Sequence, residues 1–216
     1  MIGAIIYVLV LKVSLSGGTG GFGVWGIMPR VSELNKSLEA HEISKVKDIS
    51  YGWGGAGWAV IENLLLGGGG FGASSSSSSE DLTLEFSYGS GFFDIGYIVL
   101  HTKFFFLAPS LGLGGSGISI KLIPESGDIP FDSLLENPAR ISEISISGIT
   151  VSPSLNIFIP VKKFTGILLR AGYSHSFSSS WKLNGGYRVL SHPDFTPSGF
   201  YFNFNFTFGA FKREEE

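Results

Sequence analysis

Apolar and polar positions alternate one for one along much of this chain. The clearest run is FYFNFNFTFGAF, where Phe200, Phe202, Phe204, Phe206 and Phe208 interleave with Tyr201, Asn203, Asn205, Thr207 and Gly209. A period of two places successive side chains on opposite faces of a β-strand. One face of this strand is therefore phenylalanine and the other is small and polar. Ile149, Val151, Pro153, Leu155, Ile157 and Ile159 stand against Thr150, Ser152, Ser154 and Asn156 in the same way. So do Ile167, Leu169, Ala171 and Tyr173 against Leu168, Arg170, Gly172, Ser174 and Ser176. Phe105, Leu107, Pro109, Leu111 and Leu113 oppose Ala108, Ser110, Gly112 and Gly114. Earlier in the chain Leu82, Leu84, Phe86 and Tyr88 share a face, but past Ser90–Gly91 the apolar set becomes Phe93, Ile95, Tyr97 and Val99, opposite Asp94 and Gly96. That slip predicts a β-bulge, with a second at Gly114–Gly115, because glycine is favoured at bulges. Pro109 and Pro153 lack a ladder donor, and each predicts a bulge or a gap in the register.

Eight strand-like runs follow from this pattern: 18–28, 50–61, 64–73, 82–100, 103–122, 144–159, 164–177 and 200–211. Each is near or above the ~9–11 residues that a tilted strand needs to cross a bilayer. Short and long connections alternate. IEN, HTK and VKK join runs two to three, four to five and six to seven, while residues 29–49, the serine run 74–79, residues 123–143 and residues 178–199 are the long ones. In an up-and-down meander this puts every short turn, with both termini, at one end and every long loop at the other. Val31, Leu34 and Leu38 have helical spacing in the first long loop, with Ser32 as its expected cap and Glu33 in its first turn. FDSLLENP suggests a helical turn in the third long loop, and the six serines 74–79 read as a flexible, solvated tip.

Composition decides which face meets water. Only 15% of residues are charged, mean hydropathy is +0.29, and 31 of the 216 residues are glycine. If the apolar faces point inward, as in a soluble lipocalin-like barrel with an apolar ligand, the outside is Gly, Ser, Thr and Asn, without the usual Lys and Glu coat. If they point outward, the coat is hydrocarbon and the small polar face fills a narrow lumen. Five phenylalanines left in water cost about 1.5–3 kcal/mol each, so the last strand alone weighs on the order of 10 kcal/mol. Net charge is −3, which gives no basic footprint for nucleic acid. The absence of Cys excludes disulfides and thiolate metal sites. MIGAIIYVLVL is too short to span as a helix but suits the core of a secretory signal, with Ser14 and Ser16 at the spacing of a cleavage site. Residues 1–16 are thus expected to be a signal peptide and residues 17–216 the barrel domain, although a first β-strand is the alternative reading of the opening residues.

With these features the chain resembles the small outer-membrane β-barrels of the OmpA/OmpX type. The resemblance covers residues 17–211 by pattern. It implies an all-β, eight-stranded antiparallel up-and-down transmembrane barrel with a short helix in its first long loop, in the outer membrane of a two-membraned bacterium. The alternating aromatic strand Phe202, Phe204, Phe206 and Phe208 matches the final strand that the barrel-assembly machinery recognises in that family. Phe211 is out of phase, and KREEE follows where members often stop.

Candidate chemistry is sparse. His41, His101, His175 and His192 are scattered, HEISK lacks the second histidine of a zinc-protease motif, and GGGGFG lacks the Lys-Ser/Thr of a phosphate loop. No catalytic, cofactor or metal site is expected. Lipid A deacylases among small outer-membrane barrels pair His with Ser two residues later, whereas His175 is followed at that spacing by Phe177. A lipid A-modifying enzyme is the lesser alternative. The lumen offers a better constellation. Arg170 lies seven residues past Lys163, Asp94 seven before His101, and Asn205 six before Phe211, so all three reach similar depth. A polar network of Asp94, Arg170, Asn203 and Asn205 is expected there, with Glu85 and Lys121 nearer the outer mouth. The five phenylalanines Phe200 to Phe208 are expected to face lipid. An eight-stranded lumen leaves no large pore, so any role falls to the long loops.

Overall fold

A computed structural model describes residues 13–79, 82–124, 142–178, 180–190 and 192–215. Among them, eight long strands form a closed antiparallel barrel: β1 (Val13–Pro29), β2 (Ser50–Ile61), β3 (Leu64–Ser78), β4 (Leu82–Tyr97), β5 (Phe106–Pro124), β6 (Ser142–Lys162), β7 (Thr165–Ser178) and β8 (Gly199–Glu215). Each strand pairs with its neighbours in sequence, and β8 closes on β1 along the ladder from Val13↔Glu215 to Pro29↔Gly199. Closure leaves no unpaired edge along the wall, which a bilayer demands. Helix α1 (Ser32–Glu39) follows β1.

Two of the tight connections are two-residue turns, Glu62–Asn63 and Lys163–Phe164. Glu62 and Asn63 both take positive φ, 49° and 70°, as the mirror-image hairpin turn requires. The third is longer than HTK suggests. β4 stops at Tyr97, and Leu100–His101 pairs separately with Phe106–Leu107. β1 begins at Val13, upstream of the expected domain boundary: the Leu15 backbone N–H donates to Asn63 Oδ1 (3.0 Å), and Leu15 is buried. Residues 1–12 lie outside the described residues, as does FDSLLENP.

The alternation sorts the two faces as the phenylalanine strand suggests. Phe200, Phe202, Phe204, Phe206 and Phe208 point outward, while Tyr201, Asn203, Asn205 and Thr207 are buried within. Phe22, Trp53, Phe93, Leu113, Ile149 and Val161 continue the outer apolar belt round the wall. Lys103 lies over the Phe104 ring (4.8 Å) and Lys163 over Phe164 (5.3 Å), both at the short-turn end. Aromatic rings with adjacent lysines suit the headgroup level of a bilayer.

Four expectations are corrected. The slips at Ser90–Gly91 and Gly114–Gly115 are not bulges. The β4–β5 register runs unbroken from Leu82↔Pro124 to Gly96↔Ser110, so the parity of the strands never changes. The chemistry inverts instead. In the loop-end half of the wall Leu84, Phe86, Ile118, Ile120 and Ile146 are buried inside, while Glu85, Ser87, Ser119 and Ser147 face outward. In the other half Phe93, Ile95, Leu111 and Leu113 face outward. Strands β3 to β6 thus outrun the apolar belt, and above it they follow the rule of a water-soluble barrel.

Second, the serine run is not a loop tip. Ser74–Ser78 extend β3 and pair with Thr83–Ser87 of β4. Their hydroxyls and carbonyls tie down the returning first loop, with Ser44 Oγ donating to Ser78 O (3.0 Å) and Ser77 Oγ to Lys45 O (3.0 Å). The connection after β3 is consequently short. Third, Ser32 does not cap α1: Val31 occupies the cap position without a side-chain bond, and Ser32 is the first helical residue. Val31, Leu34 and Leu38 are buried in the same apolar cluster as the inward residues of the outer barrel. Fourth, Pro109 imposes neither a bulge nor a gap, whereas Pro153 sits in the gap expected of it. Pro109 lies just past the last β4 partner, and at Pro153 the ladder to β7 is interrupted between Val151↔His175 and Ser154↔Gly172 without a shift. The one register shift in the β6–β7 ladder lies between Pro160 and Lys162.

Candidate functional site

Midway along the lumen, Arg170 of β7 meets Asp94 of β4. The guanidinium donates from Nη1 to Asp94 Oδ2 (2.6 Å) and from Nη2 to Oδ1 (2.8 Å), and both side chains are fully buried. This parallel two-bond geometry matches the planar fork of arginine to a carboxylate. Arg170 Nε donates to Tyr201 Oη (3.2 Å), and Trp58 Nε1 donates to Asp94 Oδ2 (3.3 Å). The guanidinium also lies over the Phe92 ring (4.4 Å) and beside that of Tyr201 (5.5 Å). Tyr201 Oη is in hydrogen-bond contact with Ser152 Oγ (2.8 Å). Glycines make the room: a Cβ on Gly112 would stand 2.8 Å from Asp94 Oδ1, and one on Gly172 would stand 2.6 Å from Tyr201 Oη.

The six residues expected in the lumen divide into three groups. Asp94 and Arg170 are joined. Asn203 and Asn205 are inside, but Tyr201 rather than an asparagine takes the third arginine donor, and the asparagine amides have no protein partner. Glu85 and Lys121 are not in the lumen. They are paired across β4 and β5 on the outer face, and Lys121 is also the ladder partner of Glu143. The pattern inversion explains this, since at their level the outer face is the wet one. Sequence reasoning placed Tyr201 on the polar face but missed its bond to Arg170, and it missed Trp58 and Phe92 altogether. Aromatic residues read alike on either face, and the glycine-rich β2 left Trp58 without a face.

Two further layers close the lumen. At the short-turn end Phe106 stacks on Phe158 (5.6 Å), and Phe211 meets both edge-on (5.4 and 5.0 Å). This is where the out-of-phase Phe211 goes. At the loop end the last long loop dips inward, so that Phe195, Pro197 and Ser198 are buried. Pro197 O accepts from Tyr88 Oη (3.3 Å) and Ser116 Oγ (3.4 Å), and Ser198 Oγ accepts the Ser176 N–H (2.9 Å). An aromatic stack of Trp25, Phe71 and Tyr88 fills the space between, with centroid spacings of 4.5 and 5.5 Å.

A closed wall, an outer apolar belt and a filled lumen with a central ion pair decide the architecture. The fold is that of a small outer-membrane β-barrel. Solved structures agree. Ail, the attachment invasion locus protein of Yersinia pestis, matches with a TM-score of 0.51 at 10% identity, over 91% of this chain and 98% of that one. OprG from Pseudomonas aeruginosa matches at 0.51 and 8% identity, over 91% and 96%. A major outer membrane protein from Thermus thermophilus matches at 0.51 and 10% identity, over 93% and 99%. No protein-family model matches the sequence, and no curated protein does.

His175 faces outward between the rings of Tyr173 (6.5 Å) and Phe177 (4.7 Å). Ser174 and Ser176 are buried on the opposite face. Among the described residues no group of three or more His, Asp or Glu could hold a metal ion.

Proposed function

We propose that this protein is a closed barrel of the bacterial outer membrane that acts as a structural, adhesive or binding element through its outer loops rather than as a pore. The observation that carries this reading is the wall: apolar residues cover the membrane-facing half, and the lumen is filled at three successive levels. An ion pair, an aromatic cluster and an inserted loop stand in series, so solute passage needs all three to yield. The apolar belt also speaks against a soluble barrel, whose ligand would have to share the lumen with a buried ion pair. Delivery through the barrel-assembly machinery follows from the alternating β8 strand and belongs to the same proposal.

Fractionation and gel mobility test the membrane part. The protein should sediment with outer membranes, require detergent, and migrate differently before and after boiling. Planar bilayers test the closed lumen. Wild type should show no unitary conductance, and Arg170→Ala should stay closed because the phenylalanine cluster and the loop remain. Steady channels in the wild type would overturn the reading. Lipid A modification would require His175 to act without a serine on its own face of β7, where Phe177 stands two residues on. An altered lipid A profile that disappears in His175→Ala would support that alternative.

A further inference from the structure

The short-turn end of the barrel carries a cation cluster that the lumen does not use. A recess of about 400 Å³ opens there, lined by the rings of Phe106, Phe158 and Phe211 and by Lys103, Lys162 and Lys163. The fold brings these lysines together. Phe106 and Phe158 are ladder partners, so the turn that leads into β5 and the turn that leaves β6 stand side by side. Thr102 Oγ1 accepts the backbone N–H groups of Phe104 (3.1 Å) and Phe105 (3.0 Å), which pins the first turn around Lys103. The register shift between Pro160 and Lys162 lies in the second, and such irregularities re-aim side chains next to sites. Among the described residues the ion pairs are Lys36–Glu33, Lys45–Glu39 and Arg170–Asp94, so none of the three lysines has a carboxylate partner. Glu62 lies in the turn between β2 and β3, on the opposite side of the ring, and Glu214 and Glu215 pair with Ser14 and Val13 on the β1 margin.

The recess also reaches the membrane wall. Val161 lines it and belongs to the outer apolar belt. Lys103 and Lys163 lie over the exposed rings of Phe104 and Phe164, so both ammonium groups stand on the rim between the lipid-facing surface and the recess. We propose that Lys103, Lys162 and Lys163 form a site for one anionic phospholipid of the leaflet at the short-turn end. Its phosphodiester sits among the ammonium groups, and its acyl chains run along Val161, Phe104 and Phe164. The proposal rests on the membrane reading given above. Charge selects the headgroup: three cations without carboxylate partners attract a phosphodiester and repel the ammonium of a zwitterionic lipid. Continuity with the apolar belt selects a lipid over a free phosphate, which gains nothing from the rings.

The test is native mass spectrometry of the full chain released from detergent micelles, titrated with phosphatidylglycerol or with phosphatidylethanolamine of the same acyl chains. The wild type should retain one phosphatidylglycerol and release phosphatidylethanolamine. A lysine near a membrane surface is worth about five-fold in affinity for anionic lipid, so Lys162→Gln should weaken retention by that factor and the triple Lys103→Gln, Lys162→Gln, Lys163→Gln by roughly 100-fold. Lys162→Arg keeps the charge and should keep the lipid. Lys212 is exposed at the same end but does not line the recess, so Lys212→Gln should leave retention unchanged. Millimolar glycerol phosphate should not displace the lipid. Equal retention of the two lipids by the wild type would overturn the proposal, and that comparison needs no variant. Equal losses in Lys162→Gln and Lys212→Gln would overturn it in favour of general surface attraction, and displacement by glycerol phosphate in favour of a free-anion site. The mobility shift on boiling reads the barrel separately, so a protein that shows the shift without lipid selectivity refutes this site and leaves the membrane reading standing.

Discussion

Removing Arg170 is the sharpest perturbation of the central site. In Arg170→Ala the Asp94 carboxylate loses bonds of 2.6 and 2.8 Å and keeps the Trp58 indole at 3.3 Å. An unpaired carboxylate is then held in a fully buried position. Breaking a buried pair from one side costs about 3–5 kcal/mol, much of it the stranded charge rather than the bond. With a urea slope of about 1–3 kcal/mol per molar, the unfolding midpoint should fall by roughly 2 M. Asp94→Ala should cost a similar amount by stranding the guanidinium. The double variant strands nothing, so it should be more stable than the sum of the two losses by about 3 kcal/mol. Arg170→Lys keeps a charge but loses the parallel bonds and the Tyr201 contact, and should fall between wild type and Arg170→Ala. The assay is urea unfolding in lipid vesicles, followed by tryptophan fluorescence and gel mobility. If Arg170→Ala costs less than about 1 kcal/mol, or the two single losses simply add within about 0.5 kcal/mol, the pair is not the buried, coupled unit described.

The remaining predictions use the same assay. Phe204→Lys places a cation on the lipid face and should cost up to about 2–4 kcal/mol, the value for the bilayer midplane, whereas Lys121→Ala on the wet outer face should fall within about 0.5 kcal/mol of wild type. Gly172→Ala forces a methyl to within 2.6 Å of Tyr201 Oη and 2.7 Å of Pro153 O, an overpacking that should cost about 1–3 kcal/mol. Phe158→Ala opens the lower cluster around Phe106 and Phe211 and should cost about 3–5 kcal/mol.

The fold is legible because lipid and lumen impose opposite chemistry on alternate residues. β8 and the membrane half of β5 to β7 show this without help from any motif. The misreadings share one cause. Alternation in a sequence reports which side of a strand is apolar, not which side faces inward. When β4 crosses from hydrocarbon into water, the apolar side moves from Phe93 and Ile95 to Phe86 and Tyr88 with no change in backbone parity, which mimics a bulge. The same crossing puts Glu85 and Lys121 on the outside. The serine run looks like a linker by composition, yet a hydroxyl serves equally well on a strand that rises into solvent. Asp94 and Arg170 stand out as charges amid apolar strands, and counting from the rim places them at one depth. Trp58, Phe92 and Tyr201 carry no such mark, because rings serve lipid, lumen and interface alike.

The β1–β8 ladder joins the two segments that lie farthest apart along the chain. No subset of the first seven strands can therefore enclose a lumen, and until β8 arrives the nascent protein exposes two raw sheet margins. In that state the backbone donors and acceptors along both margins stay unpaired, which a hydrocarbon core does not tolerate.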